Sequence, residues 1–254
     1  MASYLITGAS RGLGFTLAAQ LAQAPKSEVG IIFATSRQTN PTGLAELAEK
    51  TSGRVVPVQL DPNDPGSLGA AVKLVGERLQ GKGLDVLVNN AGVQPVTKGK
   101  IEKMDQDGLN DVFNTNVTLT HLVSRAFLPL LRQGGRKIIA NISSTVGSIT
   151  QAPKYQFPVH AYKITKAALN MLTVQYALDY KHEGFSVFAI SPGWLRTELG
   201  GDYADLSVET GAEEVLKYIK KGGSEYNGRF LNIHVPGWEN ASGPNQYDGK
   251  DAPW

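Results

Sequence analysis

The segment HAYKITKAALNML, residues 160–172, places Tyr162 and Lys166 four positions apart at the head of an Ala- and Leu-rich run. In a helix, positions i and i+4 share a face, so the Lys ammonium comes within reach of the phenol and favours its ionised form. A Tyr alone, with a reference pKa of about 10, is too weak an acid–base group near neutral pH. Lowering that value by roughly three units corresponds to about 4 kcal/mol, whereas an exposed i, i+4 pair supplies only about 0.2–0.5 kcal/mol. Acid–base chemistry from this pair therefore demands a partly buried site with further positive charge. Taken alone, Tyr-x-x-x-Lys on an amphipathic helix is more often a surface pair, so its meaning rests on the elements around it.

Those elements alternate. Short β-branched or apolar runs at 3–7, 30–35, 55–60, 85–90, 137–143, 186–191 and 229–235 are separated by segments of helical period at 13–24, 42–51, 65–80, 105–132, 159–181 and 208–220. This pattern predicts an α/β fold, a single Rossmann-like doubly wound parallel sheet of about seven strands with helices on both faces. No repeat, low-complexity block or Pro/Ser-rich linker divides the chain, so residues 1–254 read as one dinucleotide-binding domain.

The first strand runs into Thr7-Gly8-Ala9-Ser10-Arg11-Gly12-Leu13-Gly14 and then an Ala/Leu-rich helix. Glycines there permit a tight turn and close backbone approach, so the helix N-terminus can face a pyrophosphate. No Gly-Lys-Ser/Thr follows to make it a nucleoside-triphosphate loop. At the end of the second strand an NAD site would carry an acid for the ribose 2′-OH. This chain has Ser36-Arg37 instead. A hydroxyl and a guanidinium suit a 2′-phosphate, with Arg11 as a second cation, and together they favour NADPH.

Composition narrows the remaining classes. The formal charge is +2, from 25 Lys+Arg against 23 Asp+Glu spread along the chain. No basic stripe marks a nucleic-acid or membrane surface, so a small-molecule partner is expected. Cysteine is absent, which removes thiolate nucleophiles, disulfides and Cys-ligated zinc. The scattered His121, His160, His182 and His234 lack the spacing of a helical metal site, and no metal is expected. Without a signal-like segment or a long apolar run, a cytoplasmic location is expected.

The turn TGASRGLG, Asn89-Asn90-Ala91-Gly92, Asn116, Ser143-Ser144-Thr145-Val146-Gly147, Tyr162-x-x-x-Lys166 and Ser191-Pro192-Gly193 follow one another in an order that resembles the short-chain dehydrogenase/reductase family. The resemblance runs from residue 3 to about 235, and SPGWLRTELGG with the ending APW is similar to its sniffer-like and C-factor-like carbonyl reductases. It implies Tyr162 as general acid/base and Lys166 as the group that lowers its pKa and holds the nicotinamide ribose. Ser144 would hydrogen-bond the reacting carbonyl oxygen, and Asn116 would support a proton relay through water. Gly8, Ser10, Arg11, Gly12 and Leu13 would line the cofactor turn, with Asp61 near adenine and Asn89, Ala91 and Gly92 beside the adenine ribose. Pro192 and Gly193 would flank the nicotinamide, and Thr197 would meet its carboxamide or the phosphates. An oxidised nicotinamide would supply the further positive charge that Tyr162 needs. Of the two adjacent serines, the family pattern Ser-x-x-Gly selects Ser144.

Ser144 to Tyr162 is longer than the family's usual spacing, so QAPKYQFPVH is expected to be a loop insertion that alters the substrate pocket. Tyr155 within it lacks a Lys four residues on and is not the catalytic Tyr. The stretch 194–211, with Gly200-Gly201 and Gly211 as hinges, is expected to be a mobile substrate lid. The tail, 236–254, reads as a loop packed on the surface rather than a site wall. The expected activity is hydride transfer from NADPH to a ketone, quinone or aldehyde, with Tyr155, Phe157, Trp194, Leu199 and Tyr203 suggesting an apolar or aromatic substrate. The alternatives are a catalytically silent NADP(H)-binding regulator and an alcohol dehydrogenase working oxidatively. The resemblance also implies a homo-oligomer, a dimer or tetramer paired through the long helices.

Overall fold

A computed structural model describes residues 1–39, 41–96 and 99–254. Seven parallel strands form one sheet: β1 (Ala2–Ile6), β2 (Val29–Ser36), β3 (Val55–Gln59), β4 (Val86–Asn89), β5 (Ile138–Ile142), β6 (Ser186–Ser191) and β7 (Phe230–Asn232). Their order is β3-β2-β1-β4-β5-β6-β7, so the winding reverses between β1 and β4, where open α/β sheets bind ligands at the carboxyl ends of the strands. Val88 of β4 aligns with Ile6 of β1 on one side and Ala140 of β5 on the other.

Successive strand side chains point to opposite faces, and both faces here are apolar, as a sheet covered on both sides requires. Tyr4, Ile6, Val86 and Val88 pack with Leu17 and Leu21 of α1 (Gly12–Gln23) and with Val215 and Ile219 of α7 (Val208–Lys221). Leu44 of α2 (Thr42–Lys50) joins the same layer. On the opposite face Leu5 and Leu87 pack with Val75 of α3 (Pro65–Leu79), Phe127 and Leu131 of α5 (Leu119–Gln133) and Tyr176 of α6 (His160–Asp179).

The continuous helix expected at 105–132 is in fact two α-helical pieces. α4 (Gln106–Phe113) passes into a π-helical turn at Asn114–Thr118 before α5 begins. A π turn inserts an extra residue into the helical repeat and is frequently found at functional sites. It carries Asn116.

The last expected strand is shorter than its apolar run, and the tail completes that edge. Leu231 bridges Asp251 and His234 bridges Asp248 in antiparallel sense, Arg229 forks onto Asp251, and Trp254 stacks on Phe230. Pairing removes the exposed row of backbone donors and acceptors that an edge strand presents. The tail is thus more than the surface loop expected of it.

Candidate active site

The glycine turn is built by close approach. Gly8 has φ +63°, and a Cβ there would lie 2.9 Å from the Ala91 Cα. A Cβ on Gly14 would lie 2.4 Å from Asn90 Nδ2, so α1 seats directly against the end of β4. Thr7 and Asn90, members of the two motifs with no role expected of them, hold this junction. The Thr7 hydroxyl accepts from the Asn90 and Ala91 backbone N–H groups at 2.9 and 3.1 Å. Asn90 Nδ2 donates to the Thr7 and Gly8 carbonyls at 2.9 and 3.1 Å.

α3, α4 and α7 are capped by the side chains of Asp64, Asp105 and Ser207. α1, like α2 and α6, has no side-chain cap. Its first N–H groups open onto the turn of Gly8, Ser10, Arg11 and Gly12, the arrangement that favours an anion, while Leu13 packs partly buried on the core. Thr197 faces this turn, its methyl 3.6 Å from where a Gly12 Cβ would stand. Arg11 is not free: it forms an ion pair with Glu198 across the cleft. At the end of β2, Ser36 is buried and its hydroxyl donates to the Gln38 carbonyl at 2.6 Å, while Arg37 is exposed. Asp61, just past β3, accepts from the Asn63 backbone N–H at 3.0 Å.

The Asn89 side chain does not point to the cleft, so a place beside the adenine ribose would fall to its backbone. That side chain turns into the core, where Nδ2 donates to Ser124 Oγ at 2.9 Å and to Asn141 Oδ1 at 2.8 Å. Its own Oδ1 has no partner. Ala91 and Gly92 do reach the cleft side, a Gly92 Cβ standing 3.2 Å from Asn116 Oδ1 and 3.9 Å from Lys166 Nζ.

β5 and α6 are cross-linked rung by rung. Lys166 Nζ donates to the Ile142 carbonyl at 2.7 Å, Ser143 Oγ donates to Asn170 Oδ1 at 2.6 Å, and Asn141 Nδ2 donates to Thr173 Oγ1 at 2.8 Å. The Ser144 turn docks on the same helix, since a Gly147 Cβ would come within 2.6 Å of Lys166 Cβ. The sequence carries a signal for this ladder in its helical spacing: Tyr162, Lys166, Asn170 and Thr173 fall on one face of α6, and all are buried.

These contacts bring the Ser144 hydroxyl to the Tyr162 phenol, and Lys166 Nζ lies 5.4 Å from the Tyr162 ring centroid. Burial pushes the phenol up to about 12, with the hydrogen bond from Ser144 pulling the other way. Burial also pushes Lys166 down to about 8. In the chain by itself, desolvation of the charged form is the largest influence on both groups. Asn116 is buried with its side chain committed, exchanging bonds with the Val93 backbone at 2.9 and 3.0 Å and donating to Thr165 Oγ1 at 3.0 Å.

Beyond β6, Pro192 and Gly193 lead into the segment expected to act as a lid. A bridge between Leu195 and Leu206 closes it into a loop, and Trp194 Nε1 donates to the Gly200 carbonyl at 2.8 Å. The tail holds its base: the buried Tyr247 hydroxyl accepts from Trp194 N at 3.1 Å and donates to Asp205 Oδ2 at 2.6 Å. Of the aromatic candidates for a substrate pocket, Tyr155 is buried in the insertion, whereas Tyr203 is 93% exposed. Among the described residues no cluster of His, Asp or Glu could hold a metal ion, and no helix is long and apolar enough to cross a membrane.

A glycine turn at a strand-order reversal, facing a Ser–Tyr–Lys group at the end of β5, defines a dinucleotide-binding α/β protein with an acid–base site. The chain belongs to the short chain dehydrogenase family, whose model matches residues 3–205. It is 32% identical over 171 residues to the C-signal protein of Myxococcus xanthus, covering 67% of this chain and 93% of that one. Its fold is similar to that of the carbonyl reductase Sniffer of D. melanogaster, with TM-score 0.87, 29% identity and all of both chains covered. It is similar too to an NADPH-bound carbonyl reductase from chicken fatty liver, with TM-score 0.85, 32% identity, and 100% and 99% of the two chains covered. The chain is thus an oxidoreductase of this family, similar to carbonyl reductases.

Proposed function

We propose that the protein is an NADPH-dependent carbonyl reductase acting on a ketone, quinone or aldehyde, with Tyr162 as proton donor. The observation that carries this reading is a buried Tyr162, touched by Ser144 and overlain by Lys166, beside an uncapped helix N-terminus.

The residues fit a dinucleotide. The open N–H groups of α1 suit a pyrophosphate, Arg37 and Arg11 suit a 2′-phosphate, and Gly92 leaves the room between Asn116 and Lys166 that a side chain would fill. Asp61 with the Ala91–Gly92 backbone would hold the adenosine, and Lys166, Pro192, Gly193 and Thr197 the nicotinamide end. Asn89 would act through backbone alone. When bound, NADPH supplies a hydride to the carbonyl carbon.

The chain's own groups handle the oxygen. Ser144 Oγ would orient the carbonyl by hydrogen bonding its oxygen, and Tyr162 would donate a proton to that oxygen as negative charge develops. A phenol held near 12 stays protonated at neutral pH, the state that reduction needs and oxidation does not. Lys166, with its value near 8, is still mostly charged there and would bias the phenolate left behind. A proton relay would run along the Asn116 backbone, because its side chain is already committed.

A silent NADP(H)-binding regulator would be expected to have lost some of Asn116, Ser144, Tyr162 and Lys166, and all four are present. Trp194 and Leu199, half exposed on the 194–211 loop, support an apolar carbonyl substrate beneath a lid. Ile164, Met171 and Leu178 stay exposed at seven-residue spacing on α6, which supports pairing of two copies through that helix.

The test is NADPH consumption against aromatic ketones, quinones and aliphatic aldehydes, with NADH alongside. Turnover that prefers NADPH is expected. Tight NADPH binding with no turnover across the panel would move the assignment to the regulator.

A further inference from the structure

The stretch read as a lid divides in two. Its ends form a neck: Arg196 N donates to the Leu206 carbonyl at 2.9 Å and Leu206 N to the Trp194 carbonyl at 3.1 Å. Arg196 Nη1 adds bonds to the Ala204 and Asp205 carbonyls at 2.9 and 3.1 Å. The neck is seated on α7, where a Cβ at Gly211 would stand 2.9 Å from the Pro192 carbonyl oxygen. Gly211 is therefore a packing position and not the hinge expected of it. A Cβ at Gly200 would collide with the Leu195 carbonyl oxygen, which leaves Gly201, at φ +78° with open space around it, as the free position. Only 197–203 lies beyond the neck.

What pins this neck comes from the tail. Tyr247 is buried in the same core cluster as Leu195, Leu206 and Ile233, and its ring lies 3.3 Å from where a Gly193 Cβ would stand. Its hydroxyl spans the neck, accepting from Trp194 N on one side and donating to Asp205 Oδ2 on the other. Asn245 Nδ2 donates to that same carboxylate oxygen at 2.7 Å. The buried Tyr155 of the insertion donates to the Pro244 carbonyl at 3.4 Å. Residues 244–247 of the tail thus reach both the loop and the insertion. A Phe would fill the space of the Tyr247 ring, so what the hydroxyl contributes is the two bonds it makes.

We propose that Tyr247 is a positioning residue for substrate binding: with Asp205 and Asn245 it fixes the neck of the 194–211 loop, and with it the Trp194 wall against which the carbonyl substrate packs. The inference rests on the reductase reading. The tail then belongs to the active site without reaching the reacting atoms. Ser144, Tyr162 and Lys166 are held by the β5–α6 ladder and not by the tail. Loosening the neck therefore weakens the hold on the substrate and leaves the proton donor in place, which raises KM for the carbonyl at constant kcat.

The test compares Tyr247→Phe with Tyr218→Phe, which removes a phenol that donates to the Gly249 carbonyl at 3.3 Å and so loosens the tail away from the loop. Amide hydrogen exchange of the whole chain with NADPH is expected to speed about tenfold at Arg196 and Leu206 in Tyr247→Phe, and not in Tyr218→Phe. With a ketone or aldehyde that the wild type reduces, KM should rise about five- to tenfold in Tyr247→Phe alone, with kcat held within about twofold. Simple loss of folded protein lowers kcat and leaves KM unchanged, so the split separates positioning from stability. Asp205→Asn keeps an acceptor for Tyr247 and should stay close to wild type, whereas Asp205→Ala should match Tyr247→Phe. Unchanged exchange at the neck overturns the proposal, and so does a KM that stays fixed or rises equally in Tyr218→Phe. A wild type that reduces no carbonyl overturns the reductase reading and the substrate role with it; the exchange rates then still decide whether Tyr247 fixes the neck.

Discussion

The two walls of the cleft hold their functional side chains in opposite ways. On the β5–α6 wall, Tyr162 and Lys166 are 8% and 4% exposed, and strand and helix are tied by three hydrogen-bonded rungs. On the β1–β2 wall, Arg37 is exposed and Arg11 is held only by Glu198, both side chains of that pair being 71% exposed. A proton must be handed over at a fixed atom, which demands buried and positioned groups. A phosphate is recognised by charge at the rim, where water remains and side chains can re-aim. The buried wall should therefore respond to substitution in kcat, and the open wall in KM for the cofactor.

Tyr162→Phe is the most severe test of that contrast. It removes the proton donor while keeping the ring, and kcat should fall by about 10²–10⁴-fold. NADPH binding, followed by fluorescence titration, should stay near wild type. A variant retaining more than about a tenth of the activity would mean that the buried wall is not the acid–base site.

Lys166→Met separates chemistry from stability on the same wall. Activity should fall by a comparable factor, yet the protein should become more stable. Lys166 drops from 10.5 to about 8 on burial, which corresponds to roughly 3 kcal/mol against folding while the group is charged. Below pH 8 both folded and unfolded states are protonated and the whole cost is present. Between about 8 and 10.5 the folded state loses its proton first and the cost fades. The gain from Met should therefore be largest below pH 8 and shrink toward pH 10.5, offset in part by the orphaned Ile142 carbonyl. Urea midpoints at the two ends of that range measure it; a gain independent of pH would remove the buried charge as its cause.

On the open wall, Arg37→Ala should raise KM for NADPH by about tenfold, the worth of one charge-assisted contact to phosphate, and leave NADH unaffected. Equal changes for both cofactors would place Arg37 outside the 2′-phosphate site.

The same division explains what could be read from residues alone. The strands, the glycine turn and the Tyr162–Lys166 spacing follow from periodicity and local chemistry, which neighbouring residues express. The π turn under Asn116 does not, because α4 and α5 together carry an unbroken helical pattern. The resemblance places Asn89 beside the ribose, but the direction of its side chain is set by Ser124 and Asn141, 35 and 52 positions away. The tail looked like a polar loop because its cover for β7 depends on bridges to Leu231 and His234 that no local pattern announces. The depressed Lys166 and raised Tyr162 values likewise depend on burial by elements distant in the chain.

Glu198→Gln should give the smallest effect and the finest distinction. Glu198 sits on the 194–211 loop and neutralises Arg11 of the glycine turn, so it competes with any phosphate for that guanidinium. Releasing Arg11 should lower KM for NADPH by about threefold or less, as expected of an exposed pair, and the difference should vanish in high salt. A pair that instead holds the loop shut over the cleft would behave differently when broken: kcat would change with either cofactor and loop protection from protease would fall, while the NADPH-to-NADH ratio stayed fixed. The cofactor ratio and the proteolysis rate, measured on one variant, decide whether this contact belongs to recognition at the open wall or to closure over the buried one.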